Sequence, residues 1–337
     1  MKLSKVSLVL FIITQIGCGS HNSVFHKTAL LMGTFAQISC VSSNSKSCET
    51  NVEMAFQEMR RVESILSNFK ADADIYRLNR TLANLIDVQK ETLDVIEKAK
   101  LLFLASGGAF DITVAPILKI WGFYDRDNKP KSVPDEEIKK TLALVGSDNI
   151  IVDRINGKAG FKIPGMAVDL GAIGKGYAVD RAKDVLVKAG IGNALLGIAG
   201  DIYCLGGGRN DEGWKIGIRH PLKENEVIAT LNLKNKAIST SGQYENFVEV
   251  GGKRYAHIIN PKTGYPVENG LLSVTVVADD SSTADALATT VFVLGEEEGQ
   301  ELLKKFGAEA VLISKSDKGL RFLVTKGLKQ NAKINFN

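Results

Sequence analysis

The spacing of apolar residues divides the chain into helical and extended stretches. From Val52, apolar side chains recur at 52, 55, 56, 59, 62, 65 and 66. That is the period of a helix with one buried face, capped by Thr50 or Asn51. Glu91–Ala105 repeats the pattern and stops at Gly107-Gly108, a pair suited to a helix C-terminus. Ser132-Val-Pro-Asp-Glu-Glu opens a surface helix toward Val145, with proline and acids in the first turn, where the helix dipole favours them. Further helices are expected over Tyr177–Ala189, from Ser282 toward Gly295, and over Glu297–Phe306. Extended runs lie at 29–41, 163–168, 193–205, 214–219, 227–233, 236–241, 273–278, 310–314 and 320–325. In the second half, turn residues rather than helices separate most of them, which argues for antiparallel pairing over alternating βαβ units. The expectation is one α+β unit, a mostly antiparallel twisted sheet with outer helices and two subregions meeting at a ligand cleft.

Composition narrows the partners. A chain of 337 residues with 45% hydrophobic content can bury a substantial core. A net charge of +4 without a basic block gives no nucleic-acid footprint, so small molecules and proteins are the expected partners. The first residues read as a targeting segment: Lys2 and Lys5, an apolar Val6–Ile13, then Gly17-Cys18 in the manner of a lipoprotein cleavage site. Thr14-Gln15-Ile16 departs from the usual lipobox, which carries leucine three residues before the cysteine. The expected layout is a signal peptide over 1–17, a flexible tether over 18–27 with lipid on Cys18, and one domain over 28–330. Cys40 and Cys48 flank a Ser/Asn-rich turn and suit pairing in an oxidising compartment, although sequence alone does not fix their separation. Cys204 sits in an apolar stretch as a buried thiol, and no Cys/His spacing suggests zinc.

Candidate chemistry centres on 168–180, Val-Asp-Leu-Gly-Ala-Ile-Gly-Lys-Gly-Tyr-Ala-Val-Asp. Gly171, Gly174 and Gly176 suit a close backbone approach to a ligand, and the helix start beyond them offers free N–H groups to a phosphate. Lys175 adds a cation and Asp169 a carboxylate; the bland alternative is a strand-to-helix turn with solvated charges. The segment is not a Walker loop, since the four-residue spacer and the following Ser/Thr are missing. Asp285 and Thr289 lie four apart, which puts both oxygens on one helix face. They suit either a Mg²⁺ site or a helix cap with an inward threonine.

The 168–180 segment resembles the signature of the ApbE family, the FAD:protein FMN transferases. Further segments follow in the same order over roughly residues 28–325: Met32-Gly33-Thr34, Ser67-Asn68-Phe69 with Ile75–Asn79, Ala109–Pro116 with Trp121-Gly122-Phe123, Gly200-Asp201, Ala237–Gly242, and His257–Gly264. Ala199 replaces the first glycine of a Gly-Gly-Asp motif, and Phe69 stands where the family often has tyrosine. The resemblance implies a T-fold-like architecture and a flavin site contacted by Met32, Phe69, Ala109, Phe110, Asp111, Asp169, Lys175, Ser241, His257 and Ile258. It implies Mg²⁺ held by Asp285, Thr289 and the Ala172 carbonyl, with His257 and Asp285 as candidate catalytic groups. The implied reaction moves FMN from FAD to a Thr or Ser hydroxyl of an acceptor protein, a membrane redox-complex subunit or an exported flavoprotein, and releases AMP. Mg²⁺-dependent FAD pyrophosphatase action and non-catalytic flavin binding remain alternatives. The implied location is extracytoplasmic or periplasmic, on a membrane through the lipid.

Overall fold

The structure, a computed structural model, describes residues 23–82, 84–124, 133–243, 247–250, 253–317, 319–331 and 335–336. The signal segment and Cys18 lie outside these residues. The chain enters as a hairpin in which β1 (Ser23–Leu31) pairs antiparallel with β2 (Thr34–Ser42). Between them Met32 and Gly33 have φ of 51° and 72°, the left-handed pair that matches the strand twist in a two-residue turn. The expected single strand over 29–41 is therefore two strands. Residues 23–27, expected in the tether, are ladder instead: Ser23 to Lys27 face Ser42 to Ile38. Phe25 and Ala29 pack against the main core, a burial that a tether does not have.

Helix α1 (Ser45–Leu66) starts earlier than its apolar period does, because Asn44 caps it by accepting from the Ser47 N–H at 3.0 Å. Cys48 in its first turn is disulfide-bonded to Cys40 of β2, which ties the helix start to the sheet. There follow α2 (Asp74–Leu78), β3 (Ile86–Asp87), α3 (Lys90–Ala105), α4 (Ala115–Ile120) and α5 (Asp135–Leu142). Strands β4 (Ile150–Asp153) and β5 (Lys158–Phe161) complete a small sheet in the order β3-β5-β4. The apolar run 163–168 is not a strand. Val168 has the Asn79 side chain as its partner instead, through both its N–H (2.7 Å) and its carbonyl (2.8 Å).

Helix α6 (Gly174–Lys188) precedes β6 (Ala194–Ile198), β7 (Asp201–Leu205), β8 (Trp214–Arg219) and β9 (Val227–Leu233). Then come β10 (Lys236–Gly242), β11 (Phe247–Val250), β12 (Lys253–Ala256), β13 (Leu271–Ala278), α7 (Ser281–Leu294) and α8 (Glu296–Lys305). The chain ends in β14 (Glu309–Ser316), β15 (Gly319–Val324), α9 (Lys326–Asn331) and β16 (Asn335–Phe336).

The main sheet has eight strands in the order β1-β2-β6-β7-β10-β13-β14-β15, all paired antiparallel. Strand alternation supplies two cores. On β6, Ala194, Leu196 and Ile198 face α1, α6 and α7, while Leu195 faces the small sheet β16-β9-β8. On β14, Ala310 and Leu312 join the helical side, and Val311 and Ile313 join Trp214, Ile216 and Leu231 on the other. The result is helices, a central sheet and a small outer sheet. It is the expected α+β class, with a second β layer added.

Candidate active site

Helix α7 is anchored at its first turn by two carboxylates. Asp280 is the N-cap, accepting from the Thr283 N–H at 2.8 Å. Asp180 of α6 accepts from the Ser281 and Ser282 N–H groups at 2.7 and 2.9 Å. Lys98 of α3 donates to Asp280 at 2.5 Å and to the Ser282 hydroxyl at 2.6 Å. Burial and the neighbouring Asp280 push the Asp180 carboxyl above its usual range. Burial would also raise Asp280, but Lys98 together with the Thr283 hydrogen bonds outweighs it and holds that carboxyl low.

Asp285 is thus not a cap. It lies one turn further in, 4% exposed, with Oδ2 accepting from the Gly176 N–H at 3.2 Å and standing 3.7 Å from Lys175 Nζ. In an uninterrupted helix the Gly176 amide would seek the carbonyl of Ala172, four residues back; here it donates to Asp285 instead, and Ala172 is half-buried just ahead of α6. Thr289, one turn beyond Asp285, exchanges a hydrogen bond with the Ser241 hydroxyl of β10 at 3.1 Å. Lys175 Nζ also donates to the Gly171 carbonyl at 2.6 Å and pairs with Asp201 Oδ2 at 3.3 Å. Asp201, first in β7 and 4% exposed, takes the Ser239 hydroxyl on its other oxygen at 2.5 Å. Five segments, the glycine turn, α6, β7, β10 and α7, therefore converge on one cluster of oxygens around an ammonium.

The glycines here serve packing more than expected. A Cβ at Gly176 would stand 2.3 Å from the Ser281 carbonyl oxygen, so its absence lets the starts of α6 and α7 touch. A Cβ at Gly171 would meet the Asp169 carboxylate at 2.7 Å. Gly174 and Gly176 also lie in the first turn of α6, three residues before the expected helix start.

Asp169 forms the neighbouring wall. Its Oδ1 accepts from the Gly171 N–H at 2.7 Å, and its Oδ2 from Asn68 at 3.1 Å and the Tyr124 hydroxyl at 2.7 Å. Asn79 in turn donates to Asn68 at 2.9 Å. Burial, then the Asp169 charge, push the Tyr124 hydroxyl well above the usual tyrosine range, so it stays a donor. Met32 is half-buried, its N–H on Glu63 at 3.0 Å, and its terminal methyl lies 4.0 Å from where a Gly174 side chain would begin. Phe69, next to Asn68, is 77% exposed, a free apolar face at the rim.

Other expected contacts are committed elsewhere. Phe110 is 3% exposed and belongs to the main core, and Ala109 is 4% exposed. The Asp111 carboxylate accepts from the Thr113 N–H and hydroxyl (2.8 and 2.6 Å) and from the Ser147 hydroxyl and N–H (2.7 and 3.1 Å). It caps the short 3-10 turn 112–114. The Phe110 ring and Asp111 carboxylate are thus core and cap, and the Phe110 N–H donates to the Ser106 hydroxyl at 3.0 Å. Ile258 is 4% exposed in the main core, with its carbonyl accepting from Val267 at 2.9 Å. His257 is half-buried directly after β12. The 260–266 turn beyond it docks on α4 and α5: Trp121 Nε1 donates to the Gly264 carbonyl at 2.8 Å. Asp201, Ser239, Asn68, Asn79 and Tyr124 are not among the expected site residues, although Asn68, Asn79 and Asp201 lie in the matched segments. Gly200-Asp201 was the available signal, a carboxylate delivered straight from a hairpin turn.

Carboxylate, hydroxyl and carbonyl oxygens form a hard donor set suited to Mg²⁺ or Ca²⁺. The Lys175 ammonium beside Asp201 and Asp285 is a protein-borne cation in the same surroundings. Among the described residues no three His, Cys, Asp or Glu side chains group as a metal set. A site with one carboxylate would not form such a group.

The family model described as the ApbE family matches residues 32–312. The chain belongs to the ApbE family. The FAD:protein FMN transferase of Haemophilus influenzae is 32% identical over 325 residues, covering 94% of this chain and 94% of that protein. The protein of that name from Treponema pallidum is 30% identical over 335 residues, covering 92% and 90%. The structure of the flavin transferase ApbE from Vibrio cholerae superposes with a TM-score of 0.80 at 31% identity, over 91% of this chain and 99% of that one. The ApbE protein of Thermotoga maritima gives 0.81 at 30% identity, over 91% and 98%. The α+β architecture is therefore that of solved ApbE structures, including the antiparallel sheet with outer helices.

Proposed function

We propose that this chain transfers FMN from FAD to a serine or threonine hydroxyl of an acceptor protein and releases AMP. Similarity to FAD:protein FMN transferases along nearly the whole chain supports the reaction. The observation that carries the site is the meeting of Asp285, Thr289 and Ser241 with the start of α6. Asp285, Thr289 and the Ala172 carbonyl would hold Mg²⁺, which supplies charge neutralisation at the pyrophosphate when bound.

The acceptor oxygen forms a bond to the FMN-side phosphorus, the bond from that phosphorus to the bridging oxygen breaks, and AMP leaves with that oxygen. Such a transfer depends mainly on position and charge. Lys175, in the first turn of α6, holds phosphate oxygens, and Asp169, fixed by Asn68 and Tyr124, holds the flavin nucleotide. Phe69 offers a stacking face. Asp285 accepts from the Gly176 amide and serves the metal, so His257 is the group we assign to take the hydroxyl proton. Incubation with FAD, Mg²⁺ and a candidate acceptor tests the reading by in-gel flavin fluorescence and AMP release. FMN plus AMP without an adduct would mark a pyrophosphatase, and unchanged FAD a binding protein.

The same proposal places the protein outside the cytoplasm, on a membrane through lipid on Cys18. The Cys40–Cys48 disulfide supports an oxidising compartment. The mass of the mature amino terminus and its partition into detergent test that location.

A further inference from the structure

Lys175 stands between the two buried carboxylates of the cluster, and it does not sit evenly. Its Nζ is 2.6 Å from the Gly171 carbonyl and 3.3 Å from Asp201, but 3.7 Å from Asp285, beyond hydrogen-bond reach. The side chain is 27% exposed while those of Asp201 and Asp285 are 5% and 6% exposed, so the lysine has room that the carboxylates lack. Asp201 is itself fixed: Ser239 on β10 binds its other oxygen, and β7 and β10 are locked together by the pairing of Ile202 with Ile238.

We infer that Asp201 is a positioning residue that holds the Lys175 ammonium aside from Asp285, and that this ion pair sets the affinity of the site for a divalent cation. The inference rests on the metal reading of Asp285 and Thr289 given above. A Lys175 ammonium drawn onto Asp285 would compete directly with a divalent cation for the same oxygens. Held by Asp201 and the Gly171 carbonyl, it neutralises part of the buried negative charge without itself occupying the Asp285 oxygens. In the metal-bound protein the lysine keeps Asp201 as its counter-charge, so the ammonium and the cation each have a carboxylate. Two charges a few ångströms apart in a partly buried site interact strongly enough for this arrangement to matter.

The two partners of the ion pair should therefore act with opposite sign. Mn²⁺ binding to the intact protein without FAD, followed by electron paramagnetic resonance, gives a readout independent of turnover. Lys175→Met removes the competing ammonium and should tighten Mn²⁺ about tenfold, whereas Asp201→Asn frees the ammonium to move onto Asp285 and should weaken it about tenfold. In the double variant Asp201→Asn should lose most of its effect, because the lysine through which it acts is gone. If Asp201→Asn weakens Mn²⁺ equally in both backgrounds, Asp201 acts on the cation directly and the inference is wrong. It is equally wrong if Lys175→Met binds no tighter. Should Asp201→Asn fail to fold, Ser239→Ala, which loosens Asp201 without removing its charge, should weaken Mn²⁺ in the same direction, and an unchanged affinity would overturn the inference. If Asp285→Ala leaves wild-type Mn²⁺ binding intact, it is the metal reading that fails, a result distinguishable from the others.

Discussion

Two clusters of the same make-up stand at either side of the α7 start, each with two aspartates and one lysine. In the first, Asp180 and Asp280 take the Ser281, Ser282 and Thr283 amides, two hydroxyls and the Lys98 ammonium. In the second, the contacts seen among the described residues are one amide on Asp285, one hydroxyl on Asp201, and Lys175 close to both. The difference is the supply of backbone donors. A helix presents unbonded N–H groups only in its first turn, so carboxylates placed there become caps. A carboxylate one turn later on the same helix, or at a strand start, is offered few backbone amides, which suits Asp285 to the cation role proposed above. Residue type does not separate a structural from a chemical aspartate here; distance from the helix end does.

The largest expected effect breaks the second cluster. Asp285→Ala removes the only charged donor assigned to Mg²⁺, and a loss of ~3–4 kcal/mol of transition-state stabilisation slows FMN transfer by two to three orders of magnitude. Thr289→Val removes a neutral donor and should cost about tenfold. Turnover against Mg²⁺ concentration reads both, and wild-type curves in both variants would exclude the metal site. The first cluster should respond in stability alone. Asp280→Ala should cost ~1–2 kcal/mol in urea unfolding, with turnover per folded molecule close to wild type once Mg²⁺ and FAD saturate.

These assignments show what the sequence carried. The four-residue spacing of Asp285 and Thr289 placed both on one face, because helix geometry is local. That Asp280 rather than Asp285 caps α7 depends on where the helix begins, and apolar periodicity marks beginnings poorly: α1 and α6 also start earlier than it indicates. Val168 looked like strand because it is apolar, but its backbone partner is an asparagine 89 residues earlier in the chain. Asp111 and Phe110 were read as ligand contacts through resemblance, while Ser147, which uses the Asp111 carboxylate, is distant in sequence. Gly200-Asp201 is legible as a motif, but the place of Asp201 in the site is not, because its partners, Lys175 and Ser239, come from separate elements. Contacts made by folding, rather than those made by neighbours in the chain, were the illegible part.

A pH series separates carboxylates by the sign of their shift. Hydrogen bonding and charge from Arg61 hold Glu58 below its ordinary value of 4.5. A lowered carboxylate adds stability above 4.5 that disappears as pH falls through the folded-state value. Glu58→Gln should therefore cost ~1 kcal/mol or less near neutrality and converge on wild type in acid. Asp180, raised by burial and by Asp280, binds its proton more tightly when folded, so its contribution grows as pH falls. The gap between Asp180→Asn and wild type should widen on acidification. Urea midpoints from pH 7 to 3 measure both, and parallel profiles would contradict the opposed signs.

The smallest effect concerns the turn that delivers Asp201. Ala199 and Gly200 join β6 to β7 with φ of 52° and 108°, and Ile198 faces Asp201 across the turn. An alanine in the left-handed region costs ~1–2 kcal/mol from crowding of its Cβ. Glycine removes that cost but returns ~0.5–1 kcal/mol as extra freedom of the unfolded chain. Ala199 is exposed, so no packing is lost, and its N–H bond to the Phe35 carbonyl at 3.2 Å survives the change. Ala199→Gly should therefore stabilise the protein by ~0.5–1 kcal/mol, seen as a higher urea midpoint at unchanged slope. Mn²⁺ affinity should stay at the wild-type value, because Ser239 and Lys175, not the turn, fix the Asp201 carboxylate. A lower midpoint would mean that the turn carries no strain. A changed affinity with a raised midpoint would mean instead that the turn itself aims Asp201, making it part of the device that keeps the second cluster open.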